Sequence, residues 1–552
     1  MKFSAGPFKG RIPKLKDHLL DDMHGSVATN VKFDRGNLAP LNDTSLKATL
    51  EKVGPIYSIF RYYDSDVEYW FHWPTDVDCV MGPISGDTHN RAYFTGDGVP
   101  QVASAITALT GAGTAYPYNA YTLGLPKPGG AILLDTAIVD DGGTYPAANA
   151  TTTVYAYRFV SSMGEPGPIG SASSIITIGR DADDGHKQPV RLTGFDVSVV
   201  GDYSIATIDI FRANYADSPE WQFVDSIAFG ASSYDDTIED TALGNVLPDE
   251  EYLQPEGTMQ GIIQIHGAML AGFDDKTVLM SYEELPHAWP GEYRFVVPDP
   301  IVGLGHFGNT TIVLTEGFPH AIQGQTPTVM VKSKIELPQA GKSQACMSKR
   351  GIVEMGDAVL YPSTSGIIAI GTTYNGLLTK QVIDFDQWQT LDPTSILAGT
   401  HDGKYIGFYD NGTTQAGFIF DPSTGDWSDI DLYPTALYND KKTGELFLVL
   451  NDNELHTWEA GSALSGTWRT KKHITPRLCN MAHAKVDSEN YPLTFKLYGD
   501  GTLRHTKSVT SRDPFTLPAG YKAEHWYAEI VDGNDVNRVI VAETIEEIRN
   551  GD

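Results

Sequence analysis

The chain has 552 residues, 41% of them apolar and 20% charged, with 40 Lys and Arg against 70 Asp and Glu for a formal charge of −30. That composition provides a sizeable core and excludes a disordered chain. No Lys/Arg-rich run is present, which excludes the usual electrostatic grip on nucleic acid, and Cys79, Cys346 and Cys479, odd in number and without CxxC spacing, exclude a disulfide framework or a zinc site.

At roughly 150 residues per domain the length predicts three or four units, or two or three if large all-β domains are present. Gly (55), Pro (32), Tyr (27) and Phe (22) are abundant, and turn formers between aromatic and β-branched residues predict many short strands. The basic N-terminus, MKFSAGPFKGRIPKLKDHLL, lacks an apolar stretch of about 7–15 residues and does not read as a secretory signal. No apolar run approaches about 18 residues, so no membrane-spanning segment is expected.

Residues 1–45 read as an extended N-terminal arm with one short helix over Lys16–Val27, followed by a strand and a turn in ATNVKFDRGNLAPL. Residues 46–110 supply the first propeller or platform strands: IYSIFRYY, EYWFHWP, DCVMGPI and RAYFTGDGVPQ, separated by Asp, Gly and Pro turns. Residues 111–145, rich in Gly, Ala and Pro, read as a linker.

Residues 146–247 hold about seven short strands and no helical pattern, as an immunoglobulin or fibronectin-III-like sandwich does. In TIDIFRANY, Ile208, Ile210 and Tyr215 are expected toward the core, with Arg212 at the edge.

Residues 248–552 alternate strands and turns as a main β-propeller with closing C-terminal strands. Trp388, Trp427 and Trp468 recur at spacings of 39 and 41 residues, the period of four-stranded blades, and are read as blade-motif tryptophans. The fold class expected is therefore all-β: a β-propeller with an inserted sandwich and an extended N-terminal arm, the sheets on both sides of the insertion closing one ring.

Motifs for chemistry are sparse. GKS at 341–343 lacks the phosphate-loop glycine, since Glu336 stands five residues before Gly341 and Pro338 interrupts, so it reads as a turn. DADDGH (181–186) misplaces the EF-hand positions, with Gly185 fifth and Leu192 twelfth, and reads as a solvated loop ahead of a weak calcium site. DPSTGDW (421–427) is similar to Asp-box or kelch-type hairpin turns and is read structurally. HExxH and GxSxG are absent, and the 15 histidines are scattered. No catalytic, cofactor-binding or metal residue is assigned.

Several stretches resemble the tail nozzle (tail tubular or hub) proteins of short-tailed bacteriophages. They are ATNVKFDRGNLAPL, then VYAYRFVSSMGEPGP with DIFRANY, HGAMLAGFDDKTVLMSYEELPHAWP, VLTEGFPHAIQGQTP, QACMSKRGIVEMGDAVLYPSTSGIIAI, LLTKQVIDFDQWQTLDP and FTLPAGYKAEHWYAEIVDGNDVNRVIVAETIEEI. They cover nearly the whole chain in colinear order. The resemblance implies a structural, non-enzymatic virion-tail protein assembled in the host cytoplasm. It further implies a homohexameric ring below the portal and adaptor proteins, a platform for tail fibres or spikes, and a lumen that passes genomic DNA without sequence-specific binding. An acidic wall suits such a conduit, though acidity serves solubility equally well. Asp274, Asp275, Glu283 and Glu284 are the candidate lumen-lining carboxylates. The rival expectation is a host-glycan-binding or glycan-cleaving receptor-binding propeller, with Tyr62, Tyr63, Trp70 and Trp73 stacking on sugars. A secreted adhesin is disfavoured by the irregular repeat.

Overall fold

The structure is a computed structural model that describes residues 1–135, 142–214, 218–248, 251–337 and 343–549. Gly341, Lys342, Pro338 and Tyr215, which carry expectations above, lie outside the described residues.

Seven small antiparallel sheets among the described residues are arranged as a ring. Their first strands are Ser58–Asp64, Asp78–Met81, Gln260–Ile265, Ile301–Phe307, Val353–Met355, Leu397–His401 and Ala436–Asn439, and each lies against the next, the seventh returning to the first. Blades 2 to 7 are up-and-down four-stranded sheets; blade 1 is the two-stranded hairpin Ser58–Asp64 and Val67–Trp73. This is a β-propeller. Blade strands are apolar on both faces, as in Leu446–Leu450 and Gly366–Gly371, because each sheet is covered by two neighbours. Blade 7 takes its outer strand from the other end of the chain: Ser45–Thr49 pairs antiparallel with Glu454–Thr457. The ring is thus closed by strands distant in sequence.

A two-sheet unit is inserted between blades 2 and 3. One sheet holds Leu133–Asp135, Val190–Thr193 and Ser233–Asp236; the other has the order Ile176–Ile178, Thr151–Ser161, Ile205–Asn214, Ser218–Ala228. Tyr155, Tyr157, Phe159, Leu192, Ile208 and Ile210 fill the space between them. Ile208 and Ile210 face the core as expected. Arg212 does not sit at the edge: period-2 alternation puts it on the same face, fully buried.

A third unit is built from both termini. One sheet pairs Lys2–Ala5 with Asn534–Ala542 and continues through His483–Asn490. The other runs His24–Thr29, Thr467–Thr470, Ala523–Val531, Leu493–Gly499, Thr502–Val509. Phe3, Phe8, Trp468, Phe495, Trp526 and Val541 lie in their shared core. Gly25 is required here, because a Cβ would stand 2.6 Å from Trp468 Nε1. The outer strand of blade 6 joins this sheet directly, Arg11 pairing with Trp427 and Thr29 with Asp429.

These observations revise the domain expectations. Residues 1–45 are extended but woven into their own chain, and 16–27 is a run of turns and a strand beginning at His24, not a helix. Asp17, Asp21 and Asp22 there engage side chains and backbone of surrounding segments, and polar side chains that bond neighbouring groups compete with helix hydrogen bonds. Residues 111–145 are not purely a linker, since Tyr121–Thr122 completes blade 2 and Leu133–Asp135 belongs to the inserted unit. Residues beyond 466 belong to the terminal unit, not to a blade.

Candidate functional site

The N-terminal ends of the inner strands meet at the propeller axis, and a charged cluster occupies that opening. The 3-10 turn Lys349–Gly351, just before the inner strand of blade 5, turns two long cations toward it. Lys349 Nζ lies 2.7 Å from Asp78 Oδ2 on the opposite blade and 3.0 Å from Asp76. Arg350 donates to the carbonyls of Tyr57, before blade 1, and of Thr435, before blade 7. Gly303 of blade 4 makes room, since a Cβ would come within 2.4 Å of Ile352 and 3.3 Å of the Lys349 stem. Burial alone would lower the Lys349 ammonium, but Asp78 and Asp76 outweigh it and its pKa is raised. Asp78 is pushed up by burial and by the Asp76 carboxylate, against the pull of Lys349.

Toward the other end of the axis a second set of polar contacts joins the blades. Arg61 of blade 1 reaches Asp440 at 2.7 Å and Glu445 at 2.9 Å in blade 7, and Glu68 on its own hairpin at 2.5 Å. Burial opposes the Arg61 charge, yet these carboxylates raise its pKa. His266 N–H donates to His306 Nε2 at 3.2 Å, and His306 N–H donates to Glu354 at 2.8 Å. Lys441 of blade 7 bonds the same Glu354 at 2.5 Å, skipping blade 6. The arrangement ties blades together and closes the axis with paired charges.

The three tryptophans are not equivalent blade positions. Trp427 lies in the outer strand of blade 6, stacked on Phe418 at 4.2 Å. Trp388 lies in the short helix Phe385–Gln389 that connects blades 5 and 6, and Trp468 in the terminal unit. The underlying period is real nonetheless: inner strands start at 260, 301, 353, 397 and 436. The four acidic candidates do not form one cluster. Asp274 and Asp275 sit at the turn before strand Thr277–Met280, whereas Glu283 and Glu284 follow its far end. Of the four aromatics proposed to stack on sugars, Tyr62, Trp70 and Trp73 are buried between blades, Tyr62 stacked on Phe71 at 4.5 Å and Trp70 against Phe447 at 4.7 Å. Tyr63 is half-buried beneath Arg61. The inter-blade packing consumes the faces a sugar would need.

In the DADDGH loop Asp181, Asp184 and His186 gather their ligand atoms within 4.8 Å. These groups already hydrogen-bond their own loop and its surroundings: Asp181 accepts from the backbone of Thr144 and Asp183, and His186 bonds Asp184 through Nδ1 and Tyr145 through Nε2. The set reads as a self-satisfied loop. Elsewhere a cleft of about 90 Å³ opens between residues 31–34 and blades 6 and 7, lined by Lys32, His401, Lys404, Trp427, Trp458 and Glu459. Lys32 pairs with Glu459 and Lys404 with Asp34 across it.

No family model matches the chain, and no curated protein matches it. Solved propellers are similar in outline. Sqt1 of Saccharomyces cerevisiae shares 9% identity over 77% of this chain and 100% of its own, at a TM-score of 0.29. The Pan2 WD40 domain of Neurospora crassa shares 9% over 74% and 89%, at 0.28. Apo AztD from Citrobacter koseri shares 12% over 67% and 99%, at 0.27.

Proposed function

We propose that this chain is a structural subunit of the tail nozzle of a short-tailed bacteriophage, located in the virion tail and assembled in the host cytoplasm. The observation that carries the reading is the interlock of the three units by the chain's own ends. The N-terminal 49 residues pair with the terminal unit, with blade 6 and with blade 7. Closed sheets with few free edges resist deformation, which suits a part loaded by packaged DNA. The colinear motif order from ATNVKFDRGNLAPL to the closing FTLPAGYKAEHWYAEIV adds to this. The strand order of the larger inserted sheet supports an immunoglobulin- or fibronectin-III-like reading of that unit.

In this reading six copies form a ring that meets the portal-adaptor proteins on one side and carries fibres or spikes on the other. The DNA path runs between copies, not through a propeller, because Lys349 and Asp78 bridge the propeller axis. Electron microscopy of the purified protein beside purified virions tests it. The expected result is a hollow six-fold ring that matches density below the portal. Absence of such density in the virion, or depolymerisation of host polysaccharide by the purified protein, would reject it.

A further inference from the structure

Three chain segments converge at one end of the propeller. His401–Lys404 is the hairpin turn between the first two strands of blade 6, and residues 421–426 join its last two. Trp458 and Glu459 follow the third strand of blade 7. In antiparallel blades these three places share one end of the strands. Residues 31–34 of the N-terminal segment lie against them, and a cleft of about 90 Å³ remains between.

The cleft has two chemically different sides. Val31, Leu41, Ile406 and Ile419 make an apolar wall with the buried rings of Trp427 and Trp458. Its charged residues are Asp34, Asp402, Asp421, Asp426 and Glu459 against Lys32 and Lys404. Both lysines are engaged, Lys32 with Glu459 and Lys404 with Asp34. Asp421 accepts from Ser423 N–H, and Asp426 accepts from Gly10 N–H. Asp402 is left over. It opens a two-residue turn, with φ of 49° at Asp402 and 69° at Gly403, and its side chain is 73% exposed. Among the described residues its carboxylate has no partner nearer than His401 Nε2, 3.8 Å away. That nitrogen also stands 3.8 Å from Glu459, which favours the ring proton there. His401 Nδ1 is then an acceptor, shielded from water and without a hydrogen-bond partner among the described residues. Buried acceptors left unmet are uncommon.

We infer that this cleft takes the long cationic side chain, arginine or lysine, of a partner polypeptide. The stem lies along the apolar wall and the head meets the acidic edge beside Asp402 and His401. Five carboxylates against two ammoniums in the lining repel an anion. A metal ion is the poorer occupant. Among the described residues, only the Asp181 loop gathers three carboxylate or histidine ligand atoms within 4.8 Å. A free diamine would leave one of its charges on the apolar wall. The volume suits one side chain and falls well below the roughly 300 Å³ of cofactor-sized sites. A basic partner also suits a chain at −30, as a second copy does not. The inference stands apart from the nozzle reading, which bears only on the partner that presents the side chain.

The test is a ligand-detected NMR titration of the full chain with the end-blocked peptides Gly-Arg-Gly and Gly-Lys-Gly, against Gly-Leu-Gly, Gly-Glu-Gly and putrescine. The basic peptides are expected to bind with a Kd on the order of 1 mM and to weaken in about 1 M salt, where screening shortens to about 3 Å. Asp402→Asn, which the same turn accommodates, is expected to weaken them roughly two- to fivefold without altering thermal unfolding. Asp402→Asn with Asp34→Asn, which also frees Lys404, is expected to reach roughly tenfold. Three results would assign the cleft to another occupant and overturn the inference: Gly-Leu-Gly binding as tightly as the basic peptides, putrescine binding more tightly than they do, or a preference for Gly-Glu-Gly. So would no binding of the basic peptides, or binding that Asp402→Asn leaves unchanged.

Discussion

Lys349 and Asp78 belong to opposite blades, and their side chains meet 2.7 Å apart over the propeller axis. Lys349→Met keeps the stem and removes the charge, leaving Asp78 and Asp76 as two close carboxylates with only Arg350, 4.0 Å from Asp76, as a nearby cation. Breaking a fully buried pair costs about 3–5 kcal/mol, and partial exposure here reduces that to about 1–3 kcal/mol. Denaturant unfolding followed by tryptophan fluorescence should show the loss. Lys349→Met with Asp78→Asn should recover part of it, and no recovery would mean that Lys349 acts through packing alone.

The inserted unit depends on a different charge set. Asp236 is fully buried and accepts from Tyr155 at 2.6 Å, Arg212 at 2.5 Å and Lys187 at 3.2 Å. Burial lowers Lys187 to about 8 despite the pull of Asp236. Asp236→Ala leaves the buried Lys187 without its carboxylate and Arg212 with Asp240 alone, 2.9 Å away, at a cost of about 3–5 kcal/mol. That is enough to unfold this unit while the propeller, whose core is separate, stays folded. Limited proteolysis should then cut within residues 142–248 and spare the blades; a single global transition would contradict the separation.

How much of this was legible in the sequence depended on range. The strand-and-turn rhythm, the 40-residue period and the apolar faces of Ile208 and Ile210 are local patterns, and they specify a propeller with an insertion. Partners distant in sequence are not local. Nothing near Ser45–Thr49 announces that its ladder partner is Glu454–Thr457, and nothing in SKRGI marks Lys349 as an axial brace. Trp468 carries the spacing of a blade residue, yet its indole N–H bonds the Lys9 carbonyl, a contact that exists only because the first residues fold back onto the last. Tyr62 and Trp70 are as aromatic as a sugar platform, and only ring closure decides that they are buried.

Acid should loosen the fold through its buried histidines. Burial lowers His72 and His473 to about 4 and His287 to about 3. His72 is satisfied as the neutral ring, with Nδ1–H donating to the Trp70 carbonyl and Nε2 accepting from Lys52 N–H. The unfolded chain binds protons at these histidines below about 6.5 and the folded chain does not until lower pH. Stability is therefore fully present above about 6.5 and falls toward pH 4, by up to about 1.4 kcal/mol per pH unit per histidine. Thermal unfolding between pH 7.5 and 5 reads this slope. His72→Gln should flatten it in part, since His306, His320 and His505 are lowered as well, and an unchanged slope would place the titration elsewhere.

The N-terminal residues act as a clasp with two separable jaws. Phe8 is buried in the terminal unit, edge-on to Trp468 at 4.8 Å, whereas Ser45–Thr49 closes blade 7. Phe8→Ala removes a large core side chain at a cost of about 3–5 kcal/mol. Its effect should stay within the terminal unit, because Phe8 packs in that core alone. Hydrogen exchange should accelerate across 467–470 and 523–531 and remain slow at 454–457, where the ladder to Ser45–Thr49 is intact. A chain beginning at residue 50 loses both jaws: it bares the edge of Glu454–Thr457 and the core face left by Phe3, Phe8 and Ala28. Unpaired strand edges beside exposed apolar surface associate, so this chain should be recovered as aggregate. Fast exchange at 454–457 in Phe8→Ala would show that the two jaws release together and that the N-terminal segment holds the ring as one cooperative element.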